Sequence, residues 1–402
     1  MPKILITGNG FDLNFGLPTY YSDFIKILSH LETKNIDFDS LYSNSHNYAK
    51  ILENFNKFNF NYEKTELLKK EIKKNVWYNF FKEEFEIETW IDFENKIEYV
   101  LKILFSSVEY IKKNIFDKGS LSEDKIHYNT KLFNNNIEII EVLNKFNIIF
   151  VDDHYGIKLN QEYLIKKYNF FTDINLDKIT KYLYQELIHF KTIFNYYFEV
   201  FVFPFYDNVK IKIDRTLFAS INKHFTFNYT PTFEKIYKKS NTTNFLHGTI
   251  DSNTNQIVLG INEIPNNQID KKYFLPFTKY FQKLNNNTDY IFIKEYDKKK
   301  SYNYIFFFWG HSLDSSDEDY INEVFDFVET VRSSIKKIVV IYHDDNSKSN
   351  LLINLLNIRG KKNIQEHMRT GTLTFNNINS PELKKHLSRD ISSSSMMTPQ
   401  WQ

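Results

Sequence analysis

Residues Lys3–Tyr21, KILITGNGFDLNFGLPTYY, constrain the fold more than any other stretch of this chain. Ile4, Leu5 and Ile6 form a short apolar run that reads as a buried strand. The run stops at Gly8-Asn9-Gly10, a second turn signal follows at Gly16-Leu17-Pro18, and an amphipathic helix is expected from about residue 22 to residue 31. A strand feeding a glycine-rich turn and then a helix is how an open α/β sheet presents a phosphate site. Glycine lets the backbone approach an anion, and free helical N–H groups point at it. The third glycine comes six residues after Gly10, so the dehydrogenase spacing G-x-G-x-x-G is not met. The same residues also read as a plain strand–turn–helix with no ligand.

The rest of the chain supplies partners for that strand. From Lys64 the apolar residues fall at helical spacing: Leu68, Ile72, Val76, Phe80 and Phe81, then Phe93, Ile97, Val100, Leu104, Val108, Ile111 and Ile115. Residues 118–136 read as a polar break, 137–146 as a helix, and 176–197 as a long helix ended by Pro204. Short apolar runs return near residues 224–227, 244–246, 257–261, 304–309 and 337–342, with helices expected at about 231–238, 316–335 and 347–357. Alternation of short apolar strands with helices predicts a parallel sheet covered on both faces. The expected fold is therefore α/β, with a Rossmann-like parallel sheet and a large all-helical insertion. The core takes residues 1–31 and 211–385, the insertion residues 32–210, and a Ser-rich tail without periodicity residues 386–402.

Composition removes several function classes. A chain of 402 residues with 42% hydrophobic content has enough material for two or three domains with real cores. The formal net charge of +1 gives no general attraction to nucleic acid or anionic membrane. There is no cysteine, which removes disulfides, thiolate metal sites and a cysteine nucleophile and suits a reducing compartment. No signal peptide is read at the N-terminus, and the longest apolar runs are far too short to span a bilayer. A cytoplasmic location is the expectation. No His/Asp/Glu set has metal-ligand spacing, and Asp152-Asp153-His154 reads as a loop.

In a parallel sheet the polar residues after each strand collect along one edge, where ligands bind. Here these are Gly8-Asn9-Gly10, Asn228, His247-Gly248, Gly310-His311-Ser312 and His343-Asp344-Asp345. Structural roles are open to most of them. Asn228 suits a helix cap before Pro231, His247 a turn, His311, Ser312 and Asp314 a cap cluster, and Asp12 a loop brace. Trp90, Asp92 and Glu94 lie between two insertion helices. They read as the seat of the insertion on the core, although Asp92 or Glu94 is also within reach of a pocket.

These motifs resemble the sirtuin nucleotide site. Gly8-Asn9-Gly10-Phe11-Asp12, three residues, then Gly16-Leu17-Pro18 is similar to the sirtuin G-A-G-[IV]-S-x-x-x-G-I-P. Thr226-Phe227-Asn228-Tyr229 resembles T-x-N-x-D, Leu246-His247-Gly248 resembles L-H-G, and Gly310-His311-Ser312-Leu313 resembles G-T-S-L, all in the sirtuin order. More closely, the chain resembles the AbiH family of bacterial phage abortive-infection proteins. There G-N-G-F-D…G-L-P, W-[IV]-D-[FL]-E (here 90–94), F-N-Y-T and G-H-S-L recur, a likeness that runs from residue 3 to about residue 345.

The resemblance implies a sirtuin-like NAD-binding core in which Asn228 and His247 act on the nicotinamide ribose. Gly8, Asn9, Gly10, Phe11, Asp12, Gly16, Thr226, Gly310, His311, Ser312 and Asp344 would hold the cofactor, without a metal. Such a site would orient the ribose hydroxyls and place a water against an oxocarbenium-like centre, tasks suited to a neutral imidazole and an amide. Four positions depart from the sirtuin pattern: Asp12 stands for its Ser, Tyr20-Tyr21 for its Phe-Arg, and Thr230 for its Asp. The four-cysteine zinc module of protein deacetylases cannot exist here, which favours NAD hydrolysis over protein deacylation. The implied role is an antiphage effector that cleaves NAD. It would work as a homo-oligomer switched by a phage-derived trigger or a defence partner. A non-catalytic nucleotide sensor is the alternative.

Overall fold

The computed structural model describes residues 2–33, 36–84, 90–154, 156–238, 243–250, 256–266, 270–286, 292–293, 303–331 and 335–388. Six strands make the central sheet: β1 (Lys3–Thr7), β2 (Lys223–Thr226), β3 (Thr243–Phe245), β4 (Tyr304–Trp309), β5 (Lys336–Tyr342) and β6 (Leu373–Asn377). Their order is β6-β5-β4-β1-β2-β3, and every neighbouring pair is parallel. Parallel pairing buries both faces of a strand, which explains why β1 and β4 are apolar nearly throughout. Leu5, Phe307, Trp309, Val339 and Ile341 point to one face; Ile4, Ile6, Phe306, Phe308, Ile338 and Val340 point to the other.

The sixth strand is not the run expected at residues 257–261. That stretch forms no strand apart from a single bridge between Ile261 and Thr278, and Gly260 there lets the Phe277 carbonyl oxygen come within 2.0 Å of where a Cβ would sit. The place is taken by β6, an edge strand whose LTFNN sequence carries only two large apolar residues.

Seven helices position the site: α1 (Asn9–Phe15), α2 (Tyr21–Thr33), α3 (Trp90–Asn114), α4 (Leu176–Tyr197), α5 (Lys279–Asn285), α6 (Glu318–Thr330) and α7 (Asp345–Arg369). The glycine-rich turn expected after β1 is itself helical. Gly8 precedes α1 directly, and Gly16 closes it in the left-handed region at φ 89°. Pro204 does not simply end α4: a π-turn over Phe198–Val202 carries the chain on, and Pro204 opens the next short helix.

The segment between α2 and β2 is mainly helical but not all-helical as expected. Residues 121–174 hold two three-stranded antiparallel sheets. Their strands are two to five residues long, too short for alternation to stand out from a polar stretch. This segment shares its core with the sheet. Phe24 of α2 packs edge-on against Phe190, Phe194 and Tyr197 of α4, within one apolar cluster that also contains Leu5 and Phe307. The last described helix is Pro381–Ser388, with Leu387 buried; residues 389–402 of the expected tail lie outside the described residues.

Candidate active site

The strand order reverses between β1 and β4, and a cleft of about 830 Å³ opens at the carboxyl ends of these strands. The β1 and β4 loops meet there backbone to backbone. Gly10 N–H donates to the Gly310 carbonyl at 2.8 Å, and Gly8 N–H to the Trp309 carbonyl at 3.2 Å. A Cβ on Gly310 would sit 2.1 Å from the Phe11 nitrogen, and Gly310 holds φ 68°. The glycines that read as an anion cradle are thus also what lets two loops lie against each other.

Of the residues expected at a site, the cleft collects Gly8, Asn9, Gly10, Asp12, Asn228, His247, Gly310, His311 and Ser312. The other four lie outside its wall. Phe11 is in the core against Phe15, Phe233 and Trp309. Gly16 caps α1. Thr226 stands behind Asn228, its hydroxyl accepting from the Asn228 backbone N–H at 3.1 Å. Asp344 is exposed and caps α7 through a reciprocal pairing with Ser347. His343 reaches the rim of the cleft.

On the β2 side, the Asn228 amide donates to the Gly8 carbonyl at 3.0 Å. Asn9 donates its amide to the Thr19 carbonyl at 3.0 Å and so pins the loop that follows α1. Asp12 is 1% exposed and accepts a hydrogen bond from the Thr230 hydroxyl. The hydroxyls continue behind it, Thr232 to Thr230 at 3.2 Å and Tyr206 against Thr232 at 2.7 Å. Among the described residues the other carboxyl oxygen of Asp12 has no hydrogen-bond partner. Burial pushes its pKa up to about 7, against the lowering effect of these hydrogen bonds.

On the opposite wall the groups are charged. Asp317 precedes α6 at the N-cap position but makes no capping bond. Its carboxylate turns instead to two imidazoles, His247 Nε2 at 3.2 Å and His311 Nε2 at 3.4 Å. Burial alone would raise Asp317, but the imidazoles and Lys279 outweigh it and hold the carboxylate well below its ordinary range. His311 Nδ1 accepts the Leu313 backbone N–H at 2.9 Å, so its ring proton sits on Nε2, toward Asp317. That bond depends on a tight turn in which Leu313 adopts φ 54°. Burial drives His247 down to about pH 4, Lys283 adding to the effect and Asp317 opposing it, so His247 is neutral at pH 7. Phe227 lies beside both imidazoles, at ring-centre distances of 5.2 and 4.2 Å.

Two of these groups escape a reading of the sequence. Asp317 lies in D-S-S-D, where it reads as one more helix cap; Asp314 does that work by accepting from Ser316 N–H at 2.9 Å. Lys279 stands in an unremarkable run and pairs with Glu94 of α3 at 2.7 Å, both lining the cleft. The seat reading and the pocket reading of Glu94 thus meet in one residue. Burial lifts Glu94 to about 7 despite Lys279. Burial would lower Lys279, but Glu94 and Asp317 together raise it. Among the described residues no group of three or more His, Asp or Glu is arranged to hold a metal ion.

A parallel α/β sheet with its polar cleft at the strand reversal, joined to a mainly helical segment, is the class of protein these features define. The family model for bacteriophage abortive infection AbiH matches residues 4–342, and the chain belongs to that family. No curated protein and no solved structure gave a match. Family membership ties the chain to abortive infection by bacteriophage. Among the described residues no helix is long and apolar enough to cross a membrane.

Proposed function

We propose that this chain is an abortive-infection effector that binds NAD in the cleft and hydrolyses it to nicotinamide and ADP-ribose. The observation that carries the reading is the convergence of Asn228, His247 and the Gly8–Gly10 turn, distant in sequence, on one cleft at the strand reversal. Read from β3, the sheet order is 3-2-1-4-5-6, the order of dinucleotide-binding Rossmann sheets, which bind at this point. A volume of about 830 Å³ is within the range of cofactor sites. The departures from the sirtuin pattern are also partners: Thr230 donates to Asp12, so hydroxyl and carboxyl are both kept, with their positions exchanged.

In the reaction the bond between ribose C1′ and the nicotinamide nitrogen breaks, its electron pair staying with nicotinamide. Water adds to C1′ and gives up one proton. Asn228 and its backbone anchor orient the ribose, neutral His247 takes the proton, and Phe227 walls the imidazoles from bulk water. Such an enzyme would act in the cytoplasm as a homo-oligomer and would need a phage-derived trigger or a defence partner to release it. Incubating the purified protein with NAD tests the reaction, with Asn228→Ala and His247→Ala in parallel. Nicotinamide from wild type and from neither variant supports the assignment; nicotinamide from all three overturns the residues and keeps the reaction. A second reading, a sensor without turnover, draws on the commitment of the Asn228 amide to Gly8. It predicts no nicotinamide and a melting temperature raised by NAD.

A further inference from the structure

We propose that Asp317 is the positioning residue of this site: its carboxylate holds His247 as the Nε2–H tautomer and leaves Nδ1 to take the proton from water. The inference rests on the hydrolase reading for the reaction, but the tautomer it assigns does not. Three observations carry it. Asp317 closes the 3₁₀ turn Ser315–Asp317, which Asp314 caps, and its carboxylate makes no capping bond at the start of α6. Its two oxygens divide between two histidines, at 3.2 Å from His247 Nε2 and 3.4 Å from His311 Nε2. The His311 proton is fixed independently on Nε2 by the Leu313 N–H on Nδ1, so His311 already donates toward the same carboxylate.

An ionised carboxylate accepts and cannot donate, so the His247 nitrogen facing it carries the hydrogen. That nitrogen is buried, its 3.2 Å approach to Asp317 is a close ionic contact rather than an aligned hydrogen bond, and His247 lines the cleft. With Nε2 committed to Asp317, Nδ1 is the ring nitrogen left to act on a ligand. When water adds to C1′, one of its protons passes to Nδ1; the resulting imidazolium lies against Asp317 and afterwards releases the proton to solvent. A carboxylate behind an imidazole fixes its orientation and stabilises the cation without itself becoming protonated. The groups around His247 are Asp317, Lys279 and Lys283, with the rings of Phe227 and Tyr320; His311 shares the carboxylate, and Glu94 reaches it through Lys279.

The test has two arms on the full chain. In the first, histidines are labelled with ¹⁵N and long-range ¹H–¹⁵N spectra are recorded at pH 7 without NAD, His247 being assigned from the His247→Gln variant. The expected state is neutral with the hydrogen on Nε2; an Nδ1–H or doubly protonated ring overturns the proposal. In the second, nicotinamide release is compared between wild type and Asp317→Asn. A fall in kcat on the order of 100-fold or more is expected. KM should stay within about threefold, since ground-state binding is untouched. Asp317→Glu, which restores a carboxylate, is expected to recover part of kcat. An unchanged kcat in Asp317→Asn overturns the proposal while the reaction stands. If wild type releases no nicotinamide, the hydrolase reading fails, and the spectra alone decide the role of Asp317.

Discussion

Glu94 Oε2 lies 2.7 Å from Lys279 Nζ, and this ion pair joins α3 of the mainly helical segment to α5 on the wall of the cleft. Both side chains are nearly buried, at 12% and 7% exposure. Lys279→Met leaves Glu94 buried without its ammonium and should cost about 3–5 kcal/mol; Glu94→Leu should cost less, because Asp317 still attracts Lys279. The double variant leaves no orphaned charge and should regain most of that loss. Urea unfolding of the four proteins checks this. Losses that simply add would show that the pair is not coupled.

Asp12 gives the pH dependence a defined sign. Its pKa is raised in the folded chain from 3.8 to about 7, first of all by burial. The folded state therefore holds a proton that the unfolded state has already lost between these two values. Stability from Asp12 is fully present below about pH 4 and falls as pH rises toward 7, by on the order of 4 kcal/mol over the window. Asp12→Asn keeps the shape without the charge. It should flatten this decline and be the more stable protein at pH 7. Urea midpoints of both proteins from pH 4 to pH 8 measure it as a difference, which cancels the opposite titration of buried His247; a difference that does not grow in favour of Asp12→Asn from pH 4 toward pH 7 would contradict the burial argument.

What the sequence made legible divides along physical lines. The interior strands β1, β4 and β5 were plain, because burial on both faces demands continuous apolar runs. Edge strand β6 was not, because one covered face needs little more than Leu373 and Phe375. The long helices were visible through their stripes, while the small sheets within residues 121–174 were hidden by strands of two to five residues. Of the nine expected residues that meet in the cleft, eight follow from strand-end logic and Asp12 only from the resemblance. Asp317 and Lys279 escape the sequence because their partners are tertiary: nothing local to D-S-S-D says that His247, from the end of another strand, will join nearby His311 in facing it. Asp12 and Thr230 looked like two separate departures until the fold made them one hydrogen bond.

Glycine at position 310 is required by contact as well as by conformation. A Cβ there would approach the Phe11 nitrogen to 2.1 Å and the Gly10 carbonyl carbon to 2.5 Å, and both are backbone atoms that cannot swing away. Gly371 has a similar positive φ of 72° but nothing among the described residues within 4 Å of the added carbon. Gly371→Ala should therefore cost only the left-handed penalty of about 1–2 kcal/mol. Gly310→Ala should cost clearly more, since it also forces apart the loops of β1 and β4. Chemical denaturation of the two variants separates the effects; equal losses would mean that conformation alone explains both glycines.

Lys191 poses the opposite problem from Asp12. It is 3% exposed on α4, and its ammonium donates to Gln282 Oε1 at 2.5 Å. Gln282 also accepts the Leu259 N–H and donates to the Leu259 carbonyl, so it is held in place without the lysine. Burial lowers the Lys191 pKa from 10.5 to about 7. Between these values the unfolded chain binds a proton that the folded chain does not, so stability rises with pH from 7 toward 10.5. Lys191→Met is close in length, brings no charge to bury and leaves the Gln282 bonds to Leu259 in place. The variant should be more stable than wild type at pH 7, and the advantage should shrink as pH approaches 10. Thermal unfolding of both proteins at pH 7, 8.5 and 10 measures the difference. A constant gap across the three values would show that Lys191 is not the group whose charge is being suppressed.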